Sequence, residues 1–449
     1  MSKQRIQLSD HFTYPRLLRF VLPCIGTMLF TSIYGIVDGL CVSNFVGKTA
    51  FAAVNLIMPL PMLLGTIGFM LGTGGSAIVG ITLGEGDQKK ADRYFTLFLL
   101  AALISVSVLA VLGIVFLRPI AVLLGAKGEL LDYAVRYGRI LMVSLPTFAL
   151  QNMFQSFFVT AEKPHLGFWF TVGAGCTNMV LDVLMVGIWG WGVEGAAIAT
   201  FISQLVGGVL PVFYFIDRSN SSRLHLCKTS FYSKVLRDAC INGSSELMTN
   251  LSMSLVNILY NYQLLRLAGE NGVAAYGVIM YAAFLFVAVF VGYAVGSAPI
   301  VSFHYGARNH AEVHNLYHKS LRLIAVVAVT LTLASMFIIP CVARIFVGYD
   351  AELLALTSRA FRLYALSFLI MGFNVYASSF FTALGDGVTS ALISFLRTLA
   401  FQVIAILLLP LLLGIDGIWL AVTAAELAAL AVSVAMLLTK DKVFHYRKA

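Results

Sequence analysis

Past Arg19 the chain settles into long apolar runs broken by short polar stretches, too long and continuous for strands or one-sided helices. Most runs reach about 20 residues or more, the length with which an α-helix crosses a bilayer core of about 30 Å. The pattern predicts twelve spans, at roughly 17–42, 50–82, 93–117, 133–160, 166–190, 193–216, 238–265, 272–304, 316–346, 354–383, 388–413 and 416–438. The expected fold class is therefore an all-α polytopic membrane protein. Its spans use up the chain and leave no room for a soluble catalytic domain.

The most polar connector, DRSNSSRLHLCKTSFYSKVLRD, separates the sixth run from the seventh. It predicts an N-lobe (1–216), a cytoplasmic linker (217–237), a C-lobe (238–440) and a cytoplasmic tail (441–449). The two halves align. GKTAFAAVNL matches GENGVAAYGV and TLGEGDQKKA matches FHYGARNHAE, with Ala53 facing Ala275 and Gly84 facing Gly306, an offset of 222 residues. Arg136 and Arg139 then face Arg359 and Arg362, and GVEGAAIA faces GIDGIWLA. Two six-helix lobes that start on the same side are parallel repeats about an axis along the membrane normal, with substrate expected between them near mid-membrane.

Composition agrees: of 449 residues, 59% are hydrophobic and 11% charged, against about 25% charged in an ordinary globular domain. The polar start MSKQRIQLSDHFTYPR and the long run after it do not read as a cleaved signal peptide. A net charge of +9 would suit nucleic acid, but roughly 20 of the 30 Lys and Arg fall on the side that holds both termini. Lys89, Lys90, Arg93, Arg218, Arg223, Lys228, Lys234, Arg237, Lys440, Lys442, Arg447 and Lys448 are among them. The positive-inside rule then excludes a nucleic-acid partner and puts both termini in the cytoplasm, in the cytoplasmic (inner) membrane of a prokaryote. Six cysteines without CxxC spacing, Cys41 among them, read as packing residues.

Few ionisable residues fall deep within the runs: Asp38, Asp182, Glu246, Arg397 and Glu426, with Arg139 and Arg362 nearer the outer ends. Such a group costs about 2.5–3.5 kcal/mol at a helix centre, so each is a functional candidate by default. Counted from the cytoplasmic side at about 1.5 Å per residue, Asp38 stands about 27 Å up and Asp182 about 21 Å. Thr200 enters from the outside on the sixth span. Tyr34 and Asn178 each precede an aspartate by four residues and share its helix face. The five side chains can carry a proton or coordinate Na⁺, with a purely structural hydrogen-bond network as the alternative. Arg397 with Glu426 or Glu246 predicts a buried pair that locks the C-lobe or faces the cavity. On the fourth span Asn152, Gln155, Tyr137 and Phe154 are candidate substrate contacts. His310, His314 and His318 read as a solvated face rather than a metal stripe, so no metal or cofactor is expected beyond the coupling ion. Gly68, Gly72, Ser76, Gly80 and Gly84 form a small-xxx-small stripe for close helix packing, not a phosphate loop.

SIYGIVDGLCVSNFVG, GTGGSAIVGITLGEGDQKKA, NMVLD and GVEGAAIATFISQ, in this order and spacing, resemble the multidrug and toxic compound extrusion (MATE) family over nearly the whole chain. The resemblance implies two six-helix lobes in a V around a central cavity, and antiport of cationic or amphipathic organic compounds and drugs against H⁺ or Na⁺ by alternating access, in a monomer. By motif match Tyr34, Asp38, Asn178, Asp182 and Thr200 fall on the ion-coupling constellation of the DNA-damage-inducible-protein-F-like branch, and Pro23 on the proline where the first helix bends. The acidic Na⁺ positions of the norfloxacin-transporter branch correspond here to about Met253 and Met371, so a C-lobe sodium site of that type is not expected. Two other readings compete. A lipid-linked sugar flippase of the same superfamily would line its cavity with several cations. An intramembrane aspartyl protease would pair two aspartates, and ALGD at Asp386 and GYD at Asp350 mimic its motifs.

Overall fold

The computed structural model describes residues 6–46, 48–348 and 350–447, and within them only helices and turns occur. The Cys41 side chain, Lys448 and the first five residues of the expected N-lobe lie outside the described part. The first half holds α1 (Tyr14–Phe45), α2 (Lys48–Ile57), α3 (Pro59–Gly84), α4 (Gln88–Leu123), α5 (Glu129–Thr160), α6 (Pro164–Asp182), α7 (Gly192–Gly208) and α8 (Leu210–Ile216). The second holds α9 (Ser233–Asn242), α10 (Ser244–Gly306), α11 (His310–Val347), α12 (Ala351–Ala365), α13 (Phe368–Ala383), α14 (Gly387–Phe395), α15 (Phe401–Leu413), α16 (Ile415–Thr439) and α17 (Asp441–Phe444). Two wide π-helical stretches interrupt this order, Val183–Ile188 after α6 and Leu396–Ala400 between α14 and α15.

Among the described residues nine helices are long and apolar enough to cross a membrane, or ten if α12 and α13, bent by 46°, count as one span. Twelve were expected, and two features account for the difference. The 63 residues of α10 would make a rod of about 95 Å, far longer than a bilayer core. The helix instead breaks at Gly269 (φ 61, ψ −151). Its two legs lie side by side: Tyr260 and Tyr276 stack with centroids 4.9 Å apart, and the Tyr276 hydroxyl donates to Asn257 Oδ1 at 2.7 Å. The other feature is α5, which buries Ser144, Gln151, Asn152 and Ser156 along its length and so lacks the apolarity of a lipid-facing helix.

Local chemistry sets where helices begin. Asp87 caps α4 by accepting from Lys90 N at 3.0 Å, and Asn309 caps α11 by accepting from Glu312 N at 3.2 Å. Asp350 accepts from the amides of Glu352 and Leu353, and Asp386 from Thr389 N and its hydroxyl. Both protease-like aspartates are thus helix caps. The histidines of α11 pack on one another, with the His314 and His318 rings 4.3 Å apart. No group of three or more His, Cys, Asp or Glu among the described residues could hold a metal.

The glycine stripe of α3 packs against two neighbours in turn. A Cβ on Gly68 would meet Ala149 of α5 at 2.3 Å, and one on Gly84 would meet the Phe303 carbonyl of α10 at 2.0 Å. The reciprocal Gly306 would meet Ile81 O at 2.1 Å, so the repeated glycines of the two halves lie against each other. Both termini gather at this end of the bundle: Phe12 lies edge-on to His304, and Tyr446 packs on Tyr317.

The N-terminal segment ties the halves together there. Leu8 N donates to Glu162 Oε1 at 2.9 Å, which Arg223 also holds at 2.6 Å, while Phe12 N donates to Glu312 Oε1 at 2.9 Å. The linker is likewise pinned, not a loose tether. His225 N donates to Asp92 Oδ1 at 3.0 Å and Cys227 N to Thr96 Oγ1 at 3.1 Å. Its expected last residues, from Ser233 onward, already belong to α9.

Candidate functional site

The five N-half candidates converge. Asp38 on α1 and Asp182 at the end of α6 bring their carboxyls close enough to interact directly. Asp182 is fully buried, and neither of its oxygens, nor Oδ1 of Asp38, has a hydrogen-bond partner among the described residues. Asn178 Nδ2 reaches Thr200 Oγ1 at 3.5 Å, leaving its own Oδ1 unpartnered. Tyr34 stands within electrostatic reach of Asp38. Unpaired acceptors are costly in a low-dielectric interior, and here they come from two helices to one place. A proton shared between the carboxyls or a small cation among the oxygens would satisfy them. The π-helical stretch begins immediately after Asp182, a widening of the helix often found at functional sites.

The fourth-span candidates are scattered. Tyr137 is buried within reach of both aspartates and belongs with them, not with a central cavity. Phe154 does not face a cavity either. It stacks on Phe215 at 5.5 Å and packs near Phe95 and Phe158, because its turn of α5 faces α4 and α8. Gln155 touches a small cleft beside Cys24 and Thr27. Asn152 is buried with its amide nitrogen unpartnered.

A cavity of about 360 Å³ lies in the second half of the chain. Both legs of α10 line it, with residues of α12 to α16; the first half contributes Thr73, Ser76 and Ser156. Glu246, Arg397 and Glu426 all reach it, as do Met253 and Met371. Arg397 Nε donates to Glu426 Oε1 at 2.8 Å, with side chains 13% and 1% exposed. Glu426 Oε2 accepts from Asn374 Nδ2 at 2.7 Å, and Asn374 Oδ1 accepts from the Ser433 hydroxyl at 2.8 Å. The pair is therefore buried, and it also borders the cavity. Glu246 stands apart, with no ion pair within 4.0 Å among the described residues. Sequence reasoning missed the position of this cavity. The one available signal was the concentration of Tyr, Met, Ser and Thr along the seventh to eleventh spans.

Pro23 lies inside an unbroken α1, and the Thr27 hydroxyl donates to its carbonyl at 2.9 Å. This stretch is wedged against the second half: a Cβ on Gly292 of α10 would stand 2.5 Å from Ile25 Cα, and one on Gly296 would stand 2.8 Å from Val21. One turn further on, Val295 and Ala298 of α10 line the cavity.

Comparison with known proteins follows the same division. The MatE family model matches the chain twice, at residues 23–184 and 247–408. The chain is 21% identical to the multidrug export protein MepA of Staphylococcus saprophyticus over 433 residues, covering 95% of this chain and 94% of that one. MepA of Staphylococcus aureus strain NCTC 8325 is likewise 21% identical over 441 residues, covering 96% and 95% of the two chains. The fold is that of an outward-facing structure of a multidrug resistance MATE transporter (TM-score 0.92, 22% identity, 99% of each chain). A crystal structure of a MATE protein in complex with MaL6 matches equally well (TM-score 0.92, 22% identity, 99% of this chain and 100% of that one).

Proposed function

The chain belongs to the MatE family, a family of membrane transporters and not of enzymes, and from that premise we propose that it is a secondary active multidrug efflux transporter. It exports cationic or amphipathic organic compounds in exchange for H⁺, with Na⁺ as the alternative coupling ion. The exported class follows the multidrug export relatives, and the coupling reading rests on one observation. Two aspartates and an asparagine, from α1 and α6, meet with buried, unpartnered oxygens. Antiport needs the ion and the substrate to bind differently to the two access states, since equal affinity would shift nothing. The wedge of α1 on α10 supplies a route: a change at Asp38 moves α1, and α1 abuts the helix that lines the cavity.

In the same reading the chain crosses the cytoplasmic membrane twelve times as a monomer of two parallel lobes, with both termini in the cytoplasm. The flippase reading is weaker, because Arg397 is the one cationic side chain among the described cavity residues and Glu426 engages it. The test is efflux of a fluorescent organic cation from proteoliposomes under an imposed pH or Na⁺ gradient. Wild type should accelerate efflux under one gradient, while Asp38→Asn and Asp182→Asn should lose that acceleration. Coupling that survives in both variants would refute the assignment.

A further inference from the structure

Arg397 and Glu246 face one cavity without touching. The guanidinium is held from one side only: Nε bonds Glu426, whose other oxygen is occupied by Asn374, so the plane of the group is set. Nη1 and Nη2 have no partner among the described residues, and Arg397 lines the cavity. A planar pair of donors fixed in this way matches a carboxylate. Glu246 lines the same cavity, within electrostatic reach of Arg397 but beyond ion-pair distance. Charges of opposite sign, each lacking a full partner beside the same cavity, invite a ligand that bridges them. The rest of the wall suits an apolar ring: stacked Tyr260 and Tyr276, Met280 and Phe284. At about 360 Å³, the cavity is at the small end of ligand pockets, which run from about 300 to 1,000 Å³.

We propose that this cavity binds amphipathic zwitterions, with Arg397 taking the ligand's carboxylate, Glu246 its ammonium and the tyrosine pair its ring. This narrows the substrate class of the efflux reading and rests on that reading for transport, while binding can be measured without it. A purely cationic ligand would satisfy Glu246 and leave the Nη donors unused. A purely anionic one would meet Arg397 and be repelled by Glu246. The order of affinity is therefore zwitterion, then cation, then anion. The site also departs from the repeat: 222 residues after Asp38 comes Tyr260, so the position that carries the acid in the first half carries an aromatic wall in the second.

The experiment is calorimetric titration of the full chain in lipid nanodiscs with three probes sharing one ring: 4-(aminomethyl)benzoate, 4-methylbenzylamine and 4-methylbenzoate. Wild type should bind the zwitterion about ten-fold more tightly than the amine, the factor expected of one bidentate carboxylate contact after desolvation. Arg397→Gln combined with Glu426→Gln, which leaves no unpaired buried acid, should erase that preference. Glu246→Gln should instead erase the preference for the zwitterion over 4-methylbenzoate. The second variant decides the matter alone if the double variant fails to fold. Equal affinity of wild type for zwitterion and amine, or an unchanged pattern in Glu246→Gln, overturns the proposal. Gradient-driven efflux of the fluorescent cation separates the two readings. Efflux without zwitterion preference sinks this inference alone, and zwitterion binding without coupled efflux sinks only the transport reading.

Discussion

Gly292→Ala should shift the balance between the access states of this protein. An ideal Cβ at this position stands 2.5 Å from Ile25 Cα and 2.9 Å from Ile25 N, where ordinary contact begins at 3.4 Å. The obstacle is backbone on both sides, so no side chain can rotate away, and α1 and α10 must part by about 1 Å. Overpacking of this kind costs about 1–3 kcal/mol. The cost falls only on the state in which α1 is wedged against α10 beside Pro23. If the other access state opens that contact, its population rises by the same free energy, about 5–150-fold. Spin labels at the exposed positions Ser219, in the linker just after α8, and Ala311, on α11 of the second half, report the change in a cysteine-free background. Double electron–electron resonance should show a longer-distance component growing in the Gly292→Ala protein. An unchanged distance distribution together with an unchanged melting midpoint would refute the reasoning, because the contact would then be neither tight nor specific to one state.

Two further outcomes follow from the second half. Arg397→Met alone should destabilise by about 3–5 kcal/mol, by leaving Glu426 charged and unpaired, whereas Arg397→Met with Glu426→Leu should come close to wild type; thermal unfolding followed by intrinsic fluorescence measures the cycle, and equal losses in single and double variants would refute it. At the α14 cap, burial works to raise the Asp386 carboxyl, but the Lys440 ammonium and the Thr389 hydroxyl and amide outweigh it and hold the group below its ordinary value. A depressed folded value means that the contribution is present above the unfolded value of about 3.9 and is lost as pH falls through the folded one. Asp386→Asn should therefore melt earlier than wild type at neutral pH and together with it in strong acid; a gap that persists in acid would count against the cap.

The two halves divide the work in a way that sharing one ancestral plan does not require. In the proposed antiport the paired aspartates lie in the first half and the cavity in the second, so ion and substrate need not compete for the same atoms. What joins them is the packing of α1 on α10, from Pro23 through Gly292 and Gly296 to the cavity wall. The strap from Leu8 to Phe12 and the pairing of Gly84 with Gly306 hold the halves together at the other end of that path.

Matched motifs and their order carried the duplication and the family; the apolar runs by themselves determined an all-helical membrane protein, because lipid demands about 20 apolar residues per helix and tolerates few charges. For the same reason every deep charge was legible. The convergence of Tyr34, Asn178, Asp182 and Thr200 around Asp38 followed from helix periodicity and depth, both of which are local quantities. Azimuth is not local. Which way Phe154 or Tyr137 points depends on how α5 is rotated against α3, α4 and α7, and those contacts are set by glycines such as Gly68 and Gly208, whose partners Ala149 and Thr147 lie far off in the sequence. So the tertiary structure alone decided that Phe154 is buried against α4 and α8, that Tyr137 joins the aspartates, and that Arg397, Glu246 and Glu426 border a cavity instead of closing into one knot. It also decided the roles of Asp350 and Asp386, since a carboxylate that caps a helix and one that could serve chemistry differ only in which amides stand beside them.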